Sequence, residues 1–587
     1  MMSNGAGLNG PGAPIFHMAR VSADVLIVGA GAAGMYAAIT AARAGATVLL
    51  VDKGQIGRGG ATVMAQMTVA AALAEEEPDS VALHFDDTIK AGRGLCNEEL
   101  AALVCSEGPK RIREMEEWGT RWAREAGRIK QAIAPGHSVK RCCYVDFLNT
   151  GPAVAATLRR KITEFEKIRR ISNLAVVEIL ARDGCVMGAI ALHLPDGQLI
   201  AIDAPAVVLS AGGLTKLYTR NSASANMGGE AYALALWAHA ELVDMEFVQF
   251  FPIGHVAPRL VGMDPIMWDP FRYKLGGKLL NGQLEEFIDR YGSTDFGQYN
   301  ATRDIAAYAI LKEVEAGRGT PHGAAYLDFR HISEKDLRAA FGPVIDRLLN
   351  NGIDLSRMPV EVGPMAHYHM GGVRVDVNMR TRIEGLYAAG EAVGGSNGAN
   401  RLSGNAITEA FVFGERAGAA AADHANAASR HWDEGLAQKS IMQLDRFCHA
   451  SDINGSAPIA LQTELQQLMW DLAGPFRTGD KLSAALARIK EMQHQLEHLR
   501  IGAEQQFNLD VQDGFELRAM ITAAETVVHA ALARAESRGA HQREDFPLTD
   551  YQLIKNQILE LRDGELVCRW AQPVRLDRSQ LENPRVQ

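Results

Sequence analysis

The chain has 587 residues, 47% of them apolar and 22% charged, and carries a formal net charge of −10. That composition is ordinary for a soluble globular enzyme, and the length calls for roughly three or four domains instead of one core. The negative balance and the absence of any basic run of five or more residues argue against nucleic acid as a main partner.

Residues 1–20, rich in Gly, Asn and Pro, lack a charged start followed by an apolar run. They read as a disordered arm without a secretory signal on a cytoplasmic protein. From Asp24 the chain reads Asp-Val-Leu-Ile-Val-Gly29-Ala-Gly31-Ala-Ala-Gly34, then an Ala-rich stretch, then Ala46 to Asp52 and Lys53. This is strand, glycine turn, helix and second strand ending in an acid, the geometry that cradles a dinucleotide. Gly29 allows the tight turn, Gly31 lets the backbone approach a pyrophosphate, and Gly34 lets the helix pack closely on the strand. The helix N-terminus holds the anion, and Asp52 falls about 20 residues on, where a carboxylate accepts from a ribose. The apolar run Val25 to Val51 is no membrane span, because its glycines and Arg43 interrupt it.

Strand-like and helix-like patterns alternate to about Met245, with Ala206-Val-Val-Leu-Ser210-Ala-Gly212-Gly213 reading as a buried strand that returns the chain to a cofactor. Residues 21–250 form the first part of a nucleotide domain. Residues 251–362, richer in Pro, Trp and charged loops, read as an inserted capping domain, and 363–425 as the second part of the nucleotide domain. Residues 430–548 carry apolar residues at helical spacing and predict a helical bundle, followed by an extended tail over 549–587. The seven cysteines (96, 105, 142, 143, 185, 448 and 568) form no CxxC pair, which predicts reduced thiols. No iron–sulfur or zinc site is legible, so any such cluster belongs on another polypeptide.

Four separated stretches then align with one family: Gly57-Arg-Gly-Gly60 through Gln66, Ala366-His367-Tyr-His-Met-Gly371-Gly372, Gly398-Ala-Asn-Arg401-Leu-Ser-Gly-Asn405, and Glu536-Ser-Arg538-Gly-Ala-His541-Gln-Arg543-Glu-Asp545. From about residue 22 to 550 the chain resembles the flavoprotein subunit of the succinate dehydrogenase/fumarate reductase superfamily, which includes L-aspartate oxidase and the adenylylsulfate reductase flavoprotein. The resemblance implies an α/β fold: a Rossmann-like FAD-binding domain interrupted by an α+β cap, with a C-terminal helical bundle. It implies FAD held by Gly29, Ala30, Gly31, Ala33 and Gly34 at the pyrophosphate and by Asp52 and Lys53 at the adenosine end. Gly59, Gly60, Ala65 and Gln66 of the Gln55–Met67 loop, Gly212, Glu391 and Asn405 complete the expected contacts. The amides of Ala406 and Ile407 would face the flavin's pyrimidine edge. Several relatives attach FAD through a histidine in the loop corresponding to 57–66; this chain has none there, so non-covalent FAD is expected. The family's Thr-Gly-Asp-Gly is Asn226-Met-Gly228-Gly229-Glu230 here, so the flavin-contacting aspartate is missing and Glu230 is no more than a candidate substitute.

On the substrate side the resemblance implies hydride transfer at flavin N5 and proton transfer by Arg303 of Ala301-Thr-Arg303-Asp304. Asp269-Pro-Phe-Arg272 would be the relay that reprotonates it, since an isolated arginine is a poor acid. His367 and Arg401 match the residues that clamp one substrate carboxylate, a task that suits the bidentate guanidinium. The family's Gln-Tyr/Phe-His-Pro-Thr is Gln249-Phe-Phe251-Pro252-Ile253, the position before the relay acid is Trp268, and the family histidine before Gly-Ala-Asn-Arg is Asn397. Phe251 and Trp268 therefore predict a less polar second half of the substrate, with His255 as a compensating donor if its loop bends back. The expected activity is interconversion of a saturated and an α,β-unsaturated carboxylic acid, with fumarate itself disfavoured. The expected partners are a small carboxylate and a separate iron–sulfur electron-transfer subunit, reached in the cytoplasm or at the inner face of a membrane, with no span of the chain's own. An aspartate-oxidase-like amino acid oxidase, an adenylylsulfate-reductase-like flavoprotein and a flavin-binding electron-transfer protein with a dead site remain the alternatives.

Overall fold

Four consecutive apolar residues, Val25–Val28, form the centre of a five-stranded parallel sheet. The computed structural model describes residues 20–66, 68–134, 136–146, 148–224, 226–260, 266–268, 275–291, 303–428, 430–449, 452, 454–504 and 506–580. The sheet runs Leu386–Ala388, Ala206–Leu209, Val25–Val28, Val48–Asp52, Ile168–Ser172, with Leu26 level with both Val207 and Leu49. Its central strands are buried throughout, which explains why they read as unbroken apolar runs without alternation. The outer strand Leu386–Ala388 is contributed after the cap, so the nucleotide domain closes across the insertion as expected.

Helix Ala32–Arg43 leaves the central strand and packs on helix Asn405–Ala427. Their contact is a seam of small residues. A Cβ on Gly414 would lie 2.5 Å from the carbonyl oxygen of Ala33, and one on Gly418 would lie 2.3 Å from that of Ala37. Backbone-to-backbone packing of this kind fixes the two helices side by side, and Ala32, Ala33, Ala406 and Ile407 all line the same cavity.

The cap rises on two long antiparallel strands, Val248–Ala257 and Val360–His369, continued by Ala325–Asp328 and Lys278–Leu280. The pairs Val248↔His369 and Phe251↔Met365 fix which side chains return to the nucleotide domain. Trp268, Phe287, Phe329 and Phe341 fill the cap's own core.

The C-terminal helices Glu434–Cys448, Pro458–Ala473, Gly479–Gln495 and Leu509–Ala533 start where the sequence offers caps. Asp433, Thr478 and Asn508 each accept backbone N–H groups of the first turn, and Pro458 occupies a first-turn position where its missing N–H costs nothing. Beyond them the chain departs from the expected extended tail. Asn556–Arg562 and Glu565–Ala571 form a hairpin that extends the sheet of Leu242–Val243 and Gly372–Val373. Its turn is Asp563-Gly564, with φ of 50° and 84°, the two-residue connection that matches strand twist.

Candidate active site

The glycine turn shows which glycines serve the protein and which leave room for a ligand. Gly29 has φ +97°, and its Cβ would strike Ser210 O at 2.6 Å; a Cβ on Gly34 would lie 1.9 Å from Gly29 O. Both are required by strand, turn and helix alone. Gly31 and Gly60 are different: the first would meet only Thr62 Oγ1 at 3.5 Å, and the second, at φ +76°, nothing within 4 Å. Both face the cavity, so the missing side chains form a cradle that fits the backbone approach a pyrophosphate needs. Thr62 Oγ1 accepts the Ala32 N–H at 3.0 Å and Ser224 Oγ accepts that of Gly60 at 2.8 Å, locking loop to helix. The Asp52 carboxylate accepts from the amides of Ala30 and Gly54, each at 2.8 Å, and still borders the cavity.

Gly29, Gly31, Ala33, Asp52, Lys53, Gly59, Gly60, Ala65, Gln66, Gly212, Glu391, Ala406 and Ile407 line one continuous cavity with Phe251, His367 and Arg401. Ala30 and Gly34 shape the turn from behind. Asn405 is turned away: its side chain meets His84 at 2.9 Å and Thr88 at 3.2 Å, bracing the helix start from the buried side. Trp268 is not brought to the cavity either. It is fully buried, donates its indole N–H to His255 Nδ1 at 3.3 Å, and packs on Phe329 and Phe341. His255 Nε2 meets the Pro258 carbonyl at 2.5 Å, so this histidine is spent inside the cap and does not compensate in the site. Met267, one residue before Trp268, lines the cavity in its place. Asp269 and Arg272 lie outside the described residues. Arg303 opens helix Arg303–Glu315, and its side chain lies outside them too.

Arg401 is held in place from three directions. Its Nη2 donates to Gln249 Oε1 at 3.0 Å, its Nη1 to the Leu402 carbonyl at 3.0 Å, and its guanidinium lies 4.3 Å from the Tyr368 ring centroid. His367 Nδ1 shares a proton with Ser222 Oγ at 2.7 Å, and its ring stands 5.6 Å from that of Phe251. Phe251 packs with Met267 and Met365 into a buried apolar cluster. Gln66 Oε1 ties the flavin-side loop to this wall by accepting the Met267 N–H at 3.2 Å.

Behind the clamp are two buried carboxyls. Burial pushes Glu391 up to about 8, with Glu409 adding to the rise and the His369 amide and Arg401 opposing it. Burial likewise pushes Glu409 up to about 7, against the Asn397 amide that donates to it at 2.6 Å. Asn397, which stands where a family histidine is expected, is thus a buried partner of Glu409. Glu230 borders the cavity with its carboxylate paired to Lys53, which also pairs with Glu516. Sequence reading had no access to Gln249 and Tyr368 as supports of Arg401, although both lie within motifs already noted. Nor did it reach Trp237, Glu516 and Arg518, which line the same cavity from elements distant in sequence.

Residues 24–407 match the family described as FAD binding domain, and residues 462–581 the family described as fumarate reductase flavoprotein C-term. The chain is 35% identical to one subunit of the CoM/CoB fumarate reductase of Methanothermobacter marburgensis, covering 90% of this chain and 95% of that one. It is 33% identical to L-aspartate oxidase of Mycobacterium bovis over 94% of this chain and 97% of the relative. A quinol–fumarate reductase structure with menaquinol molecules superposes with a TM-score of 0.87 at 31% identity, covering 95% of this chain and 99% of that one. With family matches over residues 24–407 and 462–581 and relatives above 30% identity along nearly the whole chain, the chain belongs to the succinate dehydrogenase/fumarate reductase flavoprotein family and is an FAD-dependent oxidoreductase.

Proposed function

We propose that this enzyme interconverts a saturated and an α,β-unsaturated acid carrying one carboxylate and a less polar remainder. The observation that carries the reading is the asymmetry of the cavity. Arg401, positioned by Gln249 and Tyr368, and His367 line the cavity together with Phe251 and Met267, which pack on the buried Met365 beside them. Arg401 binds the carboxylate with two parallel N–H groups, and His367 adds a donor. A second carboxylate set against Phe251, Met267 and Met365 would lose its hydration without gaining a donor from those side chains, at a cost of several kcal/mol. FAD, when bound, supplies the hydride chemistry. The chain's own contribution is to orient the alkene, exclude water with the cap and deliver the proton. That last role goes to Arg303, recharged through Asp269 and Arg272.

The absence of histidine from residues 57–66 supports non-covalent FAD, which acid precipitation should release into the supernatant. A separate iron–sulfur protein is the proposed electron partner. The relative from Methanothermobacter is itself one part of a larger enzyme, and the seven cysteines here are free thiols. No helix among the described residues is long and apolar enough to cross a membrane. The test of the substrate reading is stopped-flow reoxidation of the dithionite-reduced protein. A monocarboxylic enoate such as crotonate should reoxidise it faster than fumarate at equal concentration; equal or faster reoxidation by fumarate overturns the proposal.

A further inference from the structure

Part of the cavity lining comes from a domain the nucleotide motif does not include. Helix Leu509–Ala533 of the C-terminal part presents Gln512, Phe515, Glu516 and Ala519 at three- and four-residue spacing to the cavity, with Arg518 flanking that face. Glu516 anchors the helix there, pairing with Lys53 at the end of the second nucleotide strand and with Lys216 at 2.7 Å. Glu516 is itself buried, and the side chain of Glu230 on the other side of Lys53 is only 15% exposed. The latch therefore joins helix and strand end through charges largely shielded from water.

Arg518 carries the argument further. Its guanidinium lies 4.1 Å from the Trp237 ring centroid, both residues line the cavity, and among the described residues it makes no ion pair or side-chain hydrogen bond. Burial pulls its proton affinity below the ordinary arginine value, with Glu178 only partly opposing. Leu174, Val176 and Leu192 add aliphatic surface to the lining of the same cavity. This corner adjoins Asp52 through a short chain of backbone contacts: the Asn173 N–H donates to Gly54 O at 2.9 Å, and the Leu194 N–H to Asn173 O at 2.9 Å. A flat cation over an indole, with spare N–H donors and aliphatic side chains in the same lining, offers what a purine needs: a face to stack on and donors for its ring nitrogens. A phosphate would favour the same cation but not the aliphatic side chains, and the glycine cradle already supplies its amides.

We propose that Trp237 and Arg518 form the adenine seat of the FAD cavity, so that the C-terminal helical domain holds the cofactor jointly with the nucleotide fold. The inference rests on FAD being the cofactor and not on the substrate reading, so an enzyme that binds FAD normally but prefers fumarate leaves it intact.

The test is titration of flavin-free protein, followed by quenching of flavin fluorescence, with FAD and with FMN, which lacks the adenosine half. Arg518→Ala should weaken FAD about tenfold, the size expected for a desolvated stacking contact, and leave FMN affinity unchanged. Trp237→Ala should do the same, and ADP alone should bind both variants about tenfold more weakly than wild type. Wild-type FAD affinity in both variants overturns the proposal. So does a parallel loss of FAD and FMN affinity, which would mean that the variants damage the cavity as a whole.

Discussion

Replacing Phe251 by histidine tests the substrate reading at the residue where it is most exposed to failure. Phe251 is 8% exposed, packs with Met267 and Met365, and stands 5.6 Å ring to ring from His367. An imidazole there keeps an aromatic of smaller volume and adds an N–H toward the place a second carboxylate would occupy. A hydrogen bond to a charged group contributes about 1.5–3 kcal/mol, which corresponds to about 10- to 150-fold in a specificity ratio. Phe251→His should therefore raise kcat/KM for fumarate relative to crotonate by one to two orders of magnitude, read from reoxidation of the reduced protein at several substrate concentrations. The crotonate term itself should fall, because apolar contact with the wall is lost. A ratio that stays within a factor of two, with the flavin spectrum unchanged, would refute the idea that this position sets how many carboxylates the site accepts.

Arg401→Lys removes both the bidentate fork and the stacking on Tyr368, and should raise KM for the carboxylate about 100-fold while the bound flavin's absorption stays unchanged. Arg303→Ala should abolish alkene turnover yet leave FAD bound; turnover at the wild-type rate would remove Arg303 from the proton path. Glu391 and Glu409 are carboxyls whose folded values, about 8 and about 7, lie above their unfolded value. The folded state therefore holds more protons, and their contribution to stability is full below the unfolded value near 4.5 and is lost as pH rises through 7 to 8. Thermal unfolding of the flavin-free protein should show a midpoint that declines across that window, and Glu391→Gln with Glu409→Gln should flatten the decline; an equally steep decline in the double variant would show that other groups titrate.

What was legible in the sequence was local. The strand, glycine turn and helix of Val25 to Arg43 could be read because the turn's tightest constraint is local, the contact of Gly34 with the Gly29 carbonyl. The interrupted nucleotide domain was equally readable, because buried parallel strands leave unbroken apolar runs on both sides of the insertion. The Asp563-Gly564 hairpin carried a signal of the same short range, a two-residue turn between runs of strand-forming residues, and the expectation of an extended tail passed over it.

Direction was decided only by tertiary structure. Asn405 and Ala406 are adjacent in sequence, yet one braces His84 in the interior and the other lines the cavity, because successive helical residues point about 100° apart and the close packing on helix Ala32–Arg43 selects the face. Trp268 sits beside Met267 in the motif but belongs to the cap's core, since an isolated indole gains more by packing on Phe329 and Phe341 than by facing a wet site. Lys53 and Glu516 are 463 residues apart, and no periodicity or spacing announces their pairing. It exists because the helical domain folds back over the strand end, where largely buried charges are stable only when paired with opposite ones.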